Sequence, residues 1–142
     1  MQLCDLIRQY RPCALMTHWK NSMHKDHALT HSIVKDAQFF AGLHGIVRED
    51  AAHFARGPYY AQNWEDAAEF VPYVYMEVSE EGFSLWQKAI SEHWFAVNSR
   101  DFRYKEYYEN LMRCNGCIAR KKYAQAFMVN PEDQKIILTE LN

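Results

Sequence analysis

The sequence predicts an α+β domain that is predominantly helical, with several amphipathic helices and a small antiparallel sheet or hairpin. Two long stretches, residues 22–44 and 79–98, repeat apolar side chains with the 3.6-residue period of a helix. Residues 71–78 instead alternate aromatic and β-branched side chains, as a strand does. No repeat, linker or low-complexity tract divides the chain, so we expect a single globular domain over 1–142.

The first twenty residues predict only short elements. Leu3, Ile7 and Tyr10 are spaced for one amphipathic turn, and Pro12 interrupts any longer helix. Residues 14–16 are apolar enough for a short buried strand. The N-terminus carries Asp5 and lacks a continuous apolar region, which argues against a signal peptide.

Residues 22–44 predict the first long helix. Asn21 or Ser22 would cap its start, and Gly45 suits a left-handed residue beyond its end. The apolar stripe of this helix consists of Leu29, Ile33, Ala37, Phe40, Ala41 and His44. On the helical wheel, the row formed by His24, His27 and His31 lies about 140° from the stripe. We therefore expect this row to face away from the core and His44 to face into it.

The middle of the chain predicts shorter elements. Residues 47–56 suggest a short helix that Gly57-Pro58 would stop. Asn63 would cap another helix running through Phe70, which Pro72 would end. Because proline cannot donate to a sheet, the strand predicted at 71–78 is expected at a sheet edge.

The longest clearly predicted helix begins at Ser79 and would end at residues 98–99. Its buried side is predicted to contain Phe83, Trp86, Ile90, His93, Trp94 and Val97. Ser99 would cap the next helix, whose apolar stripe consists of Tyr104, Tyr107, Tyr108, Leu111 and Met112. The Cys114-Asn115-Gly116-Cys117 segment is expected to break that helix, because Asn-Gly favours a tight turn with positive φ.

The C-terminal region leaves two predictions open. A hairpin would use residues 126–129 and 135–141, with a turn at 130–133. A final helix would instead be capped by Asn130, with Pro131 at its first position. The β-branched residues at 136–137 favour the hairpin.

The overall composition predicts an ordinary globular, cytoplasmic protein. No apolar run is long enough for a membrane span, and a formal net charge of −2 argues against a bulk nucleic-acid binder. The four cysteines are expected to be thiols or metal ligands rather than disulfides. The charge is unevenly distributed along the chain. Residues 49–92 carry nine acidic and two basic side chains, whereas residues 93–131 carry three acidic and seven basic side chains.

The first candidate site is the pair Cys114 and Cys117. A Cys-x-x-Cys turn lets two thiolates bind one zinc ion, and Cys4, Cys13 or histidines would have to complete a closed site. The alternative is two reduced thiols at a turn. A thioredoxin-like redox role is less favoured, because the pair follows a helix and would lie at its negative end.

The second candidate site is the histidine row. His27 and His31, four residues apart on a helix, can share a metal ion, and His24 extends the same face. Ala28 follows His27, so the His-Glu-x-x-His motif of zinc proteases is absent. The alternative is a solvated polar face that happens to be rich in histidine.

Two kinds of macromolecular binding are also considered. A basic nucleic-acid-binding region at 100–122 would use Arg113, Arg120, Lys121 and Lys122, interleaved with aromatic rings that can stack on bases. A protein-binding surface would use aromatic residues, which dominate interface energetics. The expected contact residues are Tyr59, Tyr60, Trp64, Tyr73 and Tyr75.

No phosphate-binding loop, nucleophile elbow or dinucleotide fingerprint is present in the sequence. We therefore interpret the chain as a small regulator or inhibitor that binds another protein through an aromatic-rich surface. Such compact chains also occur among phage and mobile-element accessory proteins. The alternatives are a zinc-stabilised module whose basic end contacts nucleic acid, and a metal-dependent enzyme using the histidine row. The first interpretation needs no cofactor, whereas the zinc-stabilised module needs zinc.

Overall fold

A computed structural model describes residues 1–133 of the chain and has an α+β fold. Its helices are α1 (Gln2–Tyr10), α2 (Lys25–Gly42), α3 (Glu80–Glu92), α4 (Trp94–Asn98) and α5 (Tyr104–Ala119). Its strands are β1 (Ala14–Thr17), β2 (Arg56–Ala61), β3 (Val74–Glu77) and β4 (Ala124–Met128). The β1–β2 pair is parallel and the β3–β4 pair is antiparallel. The predicted α+β class is thus confirmed, whereas a purely antiparallel sheet is wrong.

The chain divides into two compact units. The first contains residues 1–73 and the described chain from 128 onward, and the second contains residues 74–127. The expectation of one domain over 1–142 stays a prediction. No helix within residues 1–133 combines the length and apolar character needed to span a bilayer.

In the first unit, α1 packs on α2. Their shared core consists of Cys4, Ile7, Ala37 and Ala41. Burying these apolar groups stabilises the pair by about 25 cal/mol for each Å² removed from water. The segment with Leu3 and Ile7, which was predicted to form a single amphipathic turn, forms a full nine-residue helix. The predicted strand at 14–16 corresponds to β1, whose Met16 and Thr17 pair with Tyr59 and Tyr60.

Helix α2 differs from its prediction in both limits and orientation. It begins after His24 and ends before Leu43, and neither Ser22 nor Gly45 is its cap. Leu29 and Ile33, on the predicted inward stripe, are largely exposed, whereas His31, Ala37, Gln38 and Ala41 are buried. His44 is also exposed, so its predicted inward orientation is wrong. The sequence periodicity misses this rotation because Gln38 and His31 are buried through hydrogen bonds rather than apolarity.

The predicted helices at 47–56 and 63–70 are absent. Residues 47–55 have no regular structure, and Gly57-Pro58 lies inside β2 instead of ending a helix. The Asn63 side chain does accept a hydrogen bond from the backbone N–H of Asp66, at 2.8 Å. It closes an isolated turn, because Asn can satisfy nearby backbone groups without a helix following.

The second unit is built on Phe83, Met112 and Tyr123, with Phe83 stacked on Tyr123 at 3.9 Å between ring centroids. Ser79 caps α3 as predicted, accepting from the N–H of Gly82 at 3.0 Å. This helix ends at Glu92 rather than continuing to Asn98. His93, Trp94 and Val97 are exposed, so their predicted burial is wrong.

Helix α5 continues through the segment that was predicted to break it. Cys114, Asn115, Gly116 and Cys117 are all helical, and the left-handed residue that ends the helix is Arg120, with φ of 57°. Gly116 serves close packing, since an added Cβ would lie 2.6 Å from the carbonyl oxygen of Lys122. The second strand of the predicted hairpin, 135–141, lies outside the described residues.

Candidate functional site

Three segments of the first unit bring polar side chains to one place. Thr17 ends β1 and is followed directly by His18, while His27 lies in the first turn of α2. Asp66 belongs to the turn that Asn63 closes. The backbone N–H of Met23 donates to the carbonyl of Glu65 at 3.2 Å and thereby ties the α2 entrance to this turn.

His18, His27 and Asp66 form a compact donor cluster. One donor atom from each of the three side chains lies within 4.8 Å of the other two. The two imidazoles stack, with ring centroids 3.7 Å apart and planes inclined by 13°. Asp66 Oδ2 accepts from His18 Nδ1 at 3.3 Å, and Asp66 Oδ1 accepts from His27 Nδ1 at 3.1 Å. A single carboxylate therefore holds both rings.

Asp66 is completely buried and remains ionised at neutral pH. Burial raises the pKa of this carboxyl, but hydrogen bonds from Ser22, Asn63 and His27 outweigh burial and keep the pKa below its ordinary value of 3.8. The Asn63 amide donates to Oδ2 at 2.8 Å. A buried carboxylate needs such partners, because an isolated charge is strongly disfavoured away from water.

Exposure differs sharply across the cluster. The side chain of His18 is 40% exposed and that of His27 is 19% exposed, against 0% for Asp66. Because Asp66 accepts from both Nδ1 atoms, each Nδ1 carries its ring's proton and each Nε2 keeps a free lone pair. The arrangement thus combines two imidazole lone pairs on partly exposed side chains with a buried negative charge, as in many histidine metal sites.

A second histidine–carboxylate pair lies beside the cluster. His24 Nε2 is 3.2 Å from Glu65 Oε1, and the His24 ring is 5.0 Å from that of His27. Ser22 Oγ accepts from the His24 backbone N–H at 3.1 Å and lies 3.2 Å from His27 Nδ1. These contacts fix the approach to α2 next to the donor cluster.

The structure keeps part of the predicted histidine row. His27 belongs to the donor cluster and His24 borders it, but His31 is buried behind it, with Nδ1 3.0 Å from the backbone oxygen of His18. The prediction that all three histidines face away from the core is therefore wrong for His31. Sequence reasoning missed His18 and Asp66. Their available signals were a histidine two residues after a predicted strand and an Asn-x-x-Asp turn.

The cysteine pair lies elsewhere. Cys114 and Cys117 are exposed on α5 in the second unit, and neither is in a disulfide. Within residues 1–133, no third cysteine, histidine or carboxylate joins them at metal-binding distance. The described chain therefore does not assemble the predicted closed zinc site around these thiols.

The predicted nucleic-acid-binding residues are engaged within the second unit. Lys121 pairs with Glu77 and Lys122 with Glu80, at 2.8 and 2.9 Å. The Arg113 guanidinium lies 5.2 Å from the Phe83 ring centroid and 5.1 Å from that of Tyr123. Arg120 is exposed and caps α5. Three of the four cations thus have local partners that compete with phosphate.

The predicted protein-binding aromatics do not form a uniformly exposed set. Tyr60 is completely buried and its hydroxyl donates to Asn130 Oδ1 at 3.0 Å, so its predicted surface position is wrong. Tyr59, Trp64 and Tyr75 are half-buried, and Tyr73 is exposed. Alternation along β2 explains the difference between Tyr59 and Tyr60, because neighbouring strand residues point to opposite faces.

No family model matches this sequence, and no curated protein matches it significantly. Solved structures do match. Over 95% of this chain, the conserved protein TT1542 of Thermus thermophilus gives a TM-score of 0.78 at 18% identity. GalB, the 4-carboxy-2-hydroxymuconate hydratase of Pseudomonas putida KT2440, gives a TM-score of 0.75 at 17% identity over 99% of this chain. N,N'-diacetylchitobiose deacetylase of Pyrococcus horikoshii gives a TM-score of 0.62 at 16% identity over 92% of this chain.

The chain spans 59%, 60% and 50% of those three structures, respectively. At these identities the similarity shows a shared fold. Two of the three are enzymes by description, a hydratase and a deacetylase. The interpretation of this chain as a small regulator or inhibitor is therefore wrong, and none of these matches supports the comparison with phage and mobile-element accessory proteins. The cluster was not visible in the sequence as a motif, because its three residues come from segments that are far apart along the chain.

Proposed function

We propose that this chain carries a catalytic site that activates water with a divalent transition metal held by His18 and His27. The observation that carries the proposal is the buried Asp66 carboxylate, which accepts hydrogen bonds from both histidines. Neutral imidazoles are the commonest protein ligands of such metals, and a carboxylate partner increases their basicity. A site with few protein ligands leaves coordination positions for water and substrate.

The structural neighbours favour water as a reactant. As chemical classes, a hydratase adds water to a double bond, and hydrolytic deacetylation adds water across an acyl–nitrogen bond. A bound divalent ion supplies Lewis acidity, which polarises a carbonyl group and favours the loss of a proton from water. The exposed sides of His18 and His27 are accessible to such an ion, whereas Asp66 is enclosed.

The remaining polar residues have roles consistent with this chemistry. Asp66 orients both imidazoles and increases their basicity toward the ion. The His24–Glu65 pair, next to His27, can hold or transfer a proton at His24 Nε2, as general acid–base catalysis requires. A second candidate function uses the same histidine–aspartate contacts without metal, with Asp66 orienting a histidine base.

Metal loading and variants test the proposal. The wild-type chain would be stripped with chelator, reloaded with Zn²⁺, Co²⁺ or Mn²⁺, and assayed for release of acetate from N-acetylated sugars and for hydration of unsaturated carboxylic acids. We expect His18→Ala and His27→Ala to lose stoichiometric metal and turnover while keeping the circular dichroism of the wild type.

His44→Ala is the matched control, because His44 is an exposed histidine just beyond α2. It should retain both metal and turnover. Turnover that survives complete metal removal would instead support the metal-free histidine base. Equal metal content in wild type and the double variant His18→Ala/His27→Ala would refute the metal site.

A further inference from the structure

We propose that His31 is a positioning residue that holds His18 in the donor cluster; this inference rests on the proposed metal site. His31 is 6% exposed, and its Nδ1 lies 3.0 Å from the backbone oxygen of His18. A carbonyl can only accept, so Nδ1 is the protonated nitrogen of this ring and donates the bond. The contact therefore restrains the main chain that carries one of the two imidazole donors.

The His31 ring is itself held by buried aromatic neighbours. It meets Trp19 edge to face at 5.7 Å between centroids and lies 4.8 Å from Tyr60. The Tyr60 hydroxyl donates to Asn130, and Trp19 Nε1 donates to the carbonyl of Ala68 at 3.0 Å. With both neighbours anchored, the imidazole has a defined orientation, and its N–H points to one acceptor.

Helix α2 links the two imidazole donors through this contact. His27 and His31 are one helical turn apart, so the same rigid element presents the His27 ring to the cluster and the His31 N–H to the His18 backbone. The spacing between His18 and His27 is consequently set by Asp66 at the side chains and by His31 at the main chain. A phenylalanine would fill the same volume but leave the His18 carbonyl without this donor.

The test compares Co²⁺ affinity with stability. His31→Phe removes the donor, whereas His31→Asn retains an amide N–H near the position of Nδ1. His53→Phe is the matched control, because His53 Nε2 makes a comparable bond to the carbonyl of Pro12, at 2.7 Å, outside the donor cluster. Co²⁺ affinity would be measured by competition with a chromophoric chelator, and stability by urea unfolding of the metal-free proteins.

We expect His31→Phe to weaken Co²⁺ binding about 10- to 100-fold, the usual effect of losing a group that orients a metal ligand. His31→Asn should restore most of the affinity, and His53→Phe should lose stability without losing affinity. If His31→Phe does not fold, His31→Gln replaces it, since its longer amide cannot occupy the Nδ1 position.

If His31→Phe binds Co²⁺ as tightly as the wild type does, the positioning role of His31 is overturned, while the metal site remains supported. An equal loss in His53→Phe would also overturn it, because the effect would then follow stability alone. Failure of the wild type to bind Co²⁺ would refute the metal site and, with it, this inference. The two failures are thus distinguished by the wild-type measurement.

Discussion

The imidazole of His18 lies flat on that of His27, with ring centroids 3.7 Å apart, although the two residues come from a strand end and a helix start. Two stacked imidazoles would repel each other if both were protonated. The buried negative charge of Asp66 stabilises the pair by accepting from both Nδ1 atoms. The cluster therefore depends on one carboxylate that both rings share.

Asp66→Asn tests that dependence. An asparagine side chain has one acceptor oxygen, so its amide nitrogen would face the Nδ1–H of one histidine and disrupt that contact. We expect metal affinity to fall about 10- to 100-fold, with turnover falling at least as much. Titration calorimetry and elemental analysis measure the first effect. Glu69→Gln, an exposed carboxylate on the same segment, serves as the control and should bind like the wild type.

The stability of the metal-free protein should fall on acidification below about pH 6.5. Burial lowers the pKa of His31 from its ordinary value of 6.5, and its hydrogen bond to His18 opposes that effect only in part. As pH falls, the unfolded chain binds a proton before the folded chain does. Stability is therefore complete above 6.5 and is lost down to the folded-state pKa, by at most about 1.4 kcal/mol per pH unit.

Urea unfolding at a series of pH values measures this dependence, and His31→Asn provides the comparison because it cannot titrate there. The difference between the two proteins should shrink as the pH falls from neutrality through this range. A wild-type slope identical to that of His31→Asn would show that His31 does not cause the acid sensitivity in this range. The depressed pKa of Asp66 contributes only at lower pH, below 3.8.

Arg8→Met should severely destabilise the first unit. Arg8 is 3% exposed, and its guanidinium donates to five backbone carbonyls around the end of α2, those of Phe40, Ala41, Leu43, Ile46 and Asp50. Methionine fills similar space but satisfies none of them. We expect a loss of at least about 3 kcal/mol in the free energy of unfolding. Arg11→Met, an exposed arginine just after α1, should change it by less than about 0.5 kcal/mol.

Gly116→Ala should destabilise the second unit, although alanine normally stabilises a helix by about 1 kcal/mol relative to glycine. The added methyl would lie 2.6 Å from the carbonyl oxygen of Lys122, so the chain after α5 would have to move. We expect a net loss of about 1–3 kcal/mol, measured by thermal or urea unfolding. Gly45→Ala is the control, since no atom lies within 4 Å of its added Cβ. A more stable Gly116→Ala variant would contradict the close packing.

Local signals account for the elements that were predicted well. Ser79 followed by Glu80 and Glu81 marks the start of α3, because the hydroxyl cap and the acidic first turn both act within a few residues. The α+β class follows from similar local periodicities. The failures share another cause. Gly116 resembles a turn residue in the sequence, but it lies inside a helix, where the nearby carbonyl of Lys122 leaves no room for a Cβ. The helix predicted after Asn63 is absent because that side chain supports a turn around Asp66.

By itself, the sequence determined the α+β class, where α3 begins, and that His27 and His31 lie on one helix. Each of these properties depends on residues within about one or two turns of each other. Only the tertiary structure decided that His18 and Asp66 join His27 and that His31 lies behind them. These groups are separated by as many as 48 residues, and a contact at that separation depends on how the chain packs. Periodicity along a single element carries no information about it.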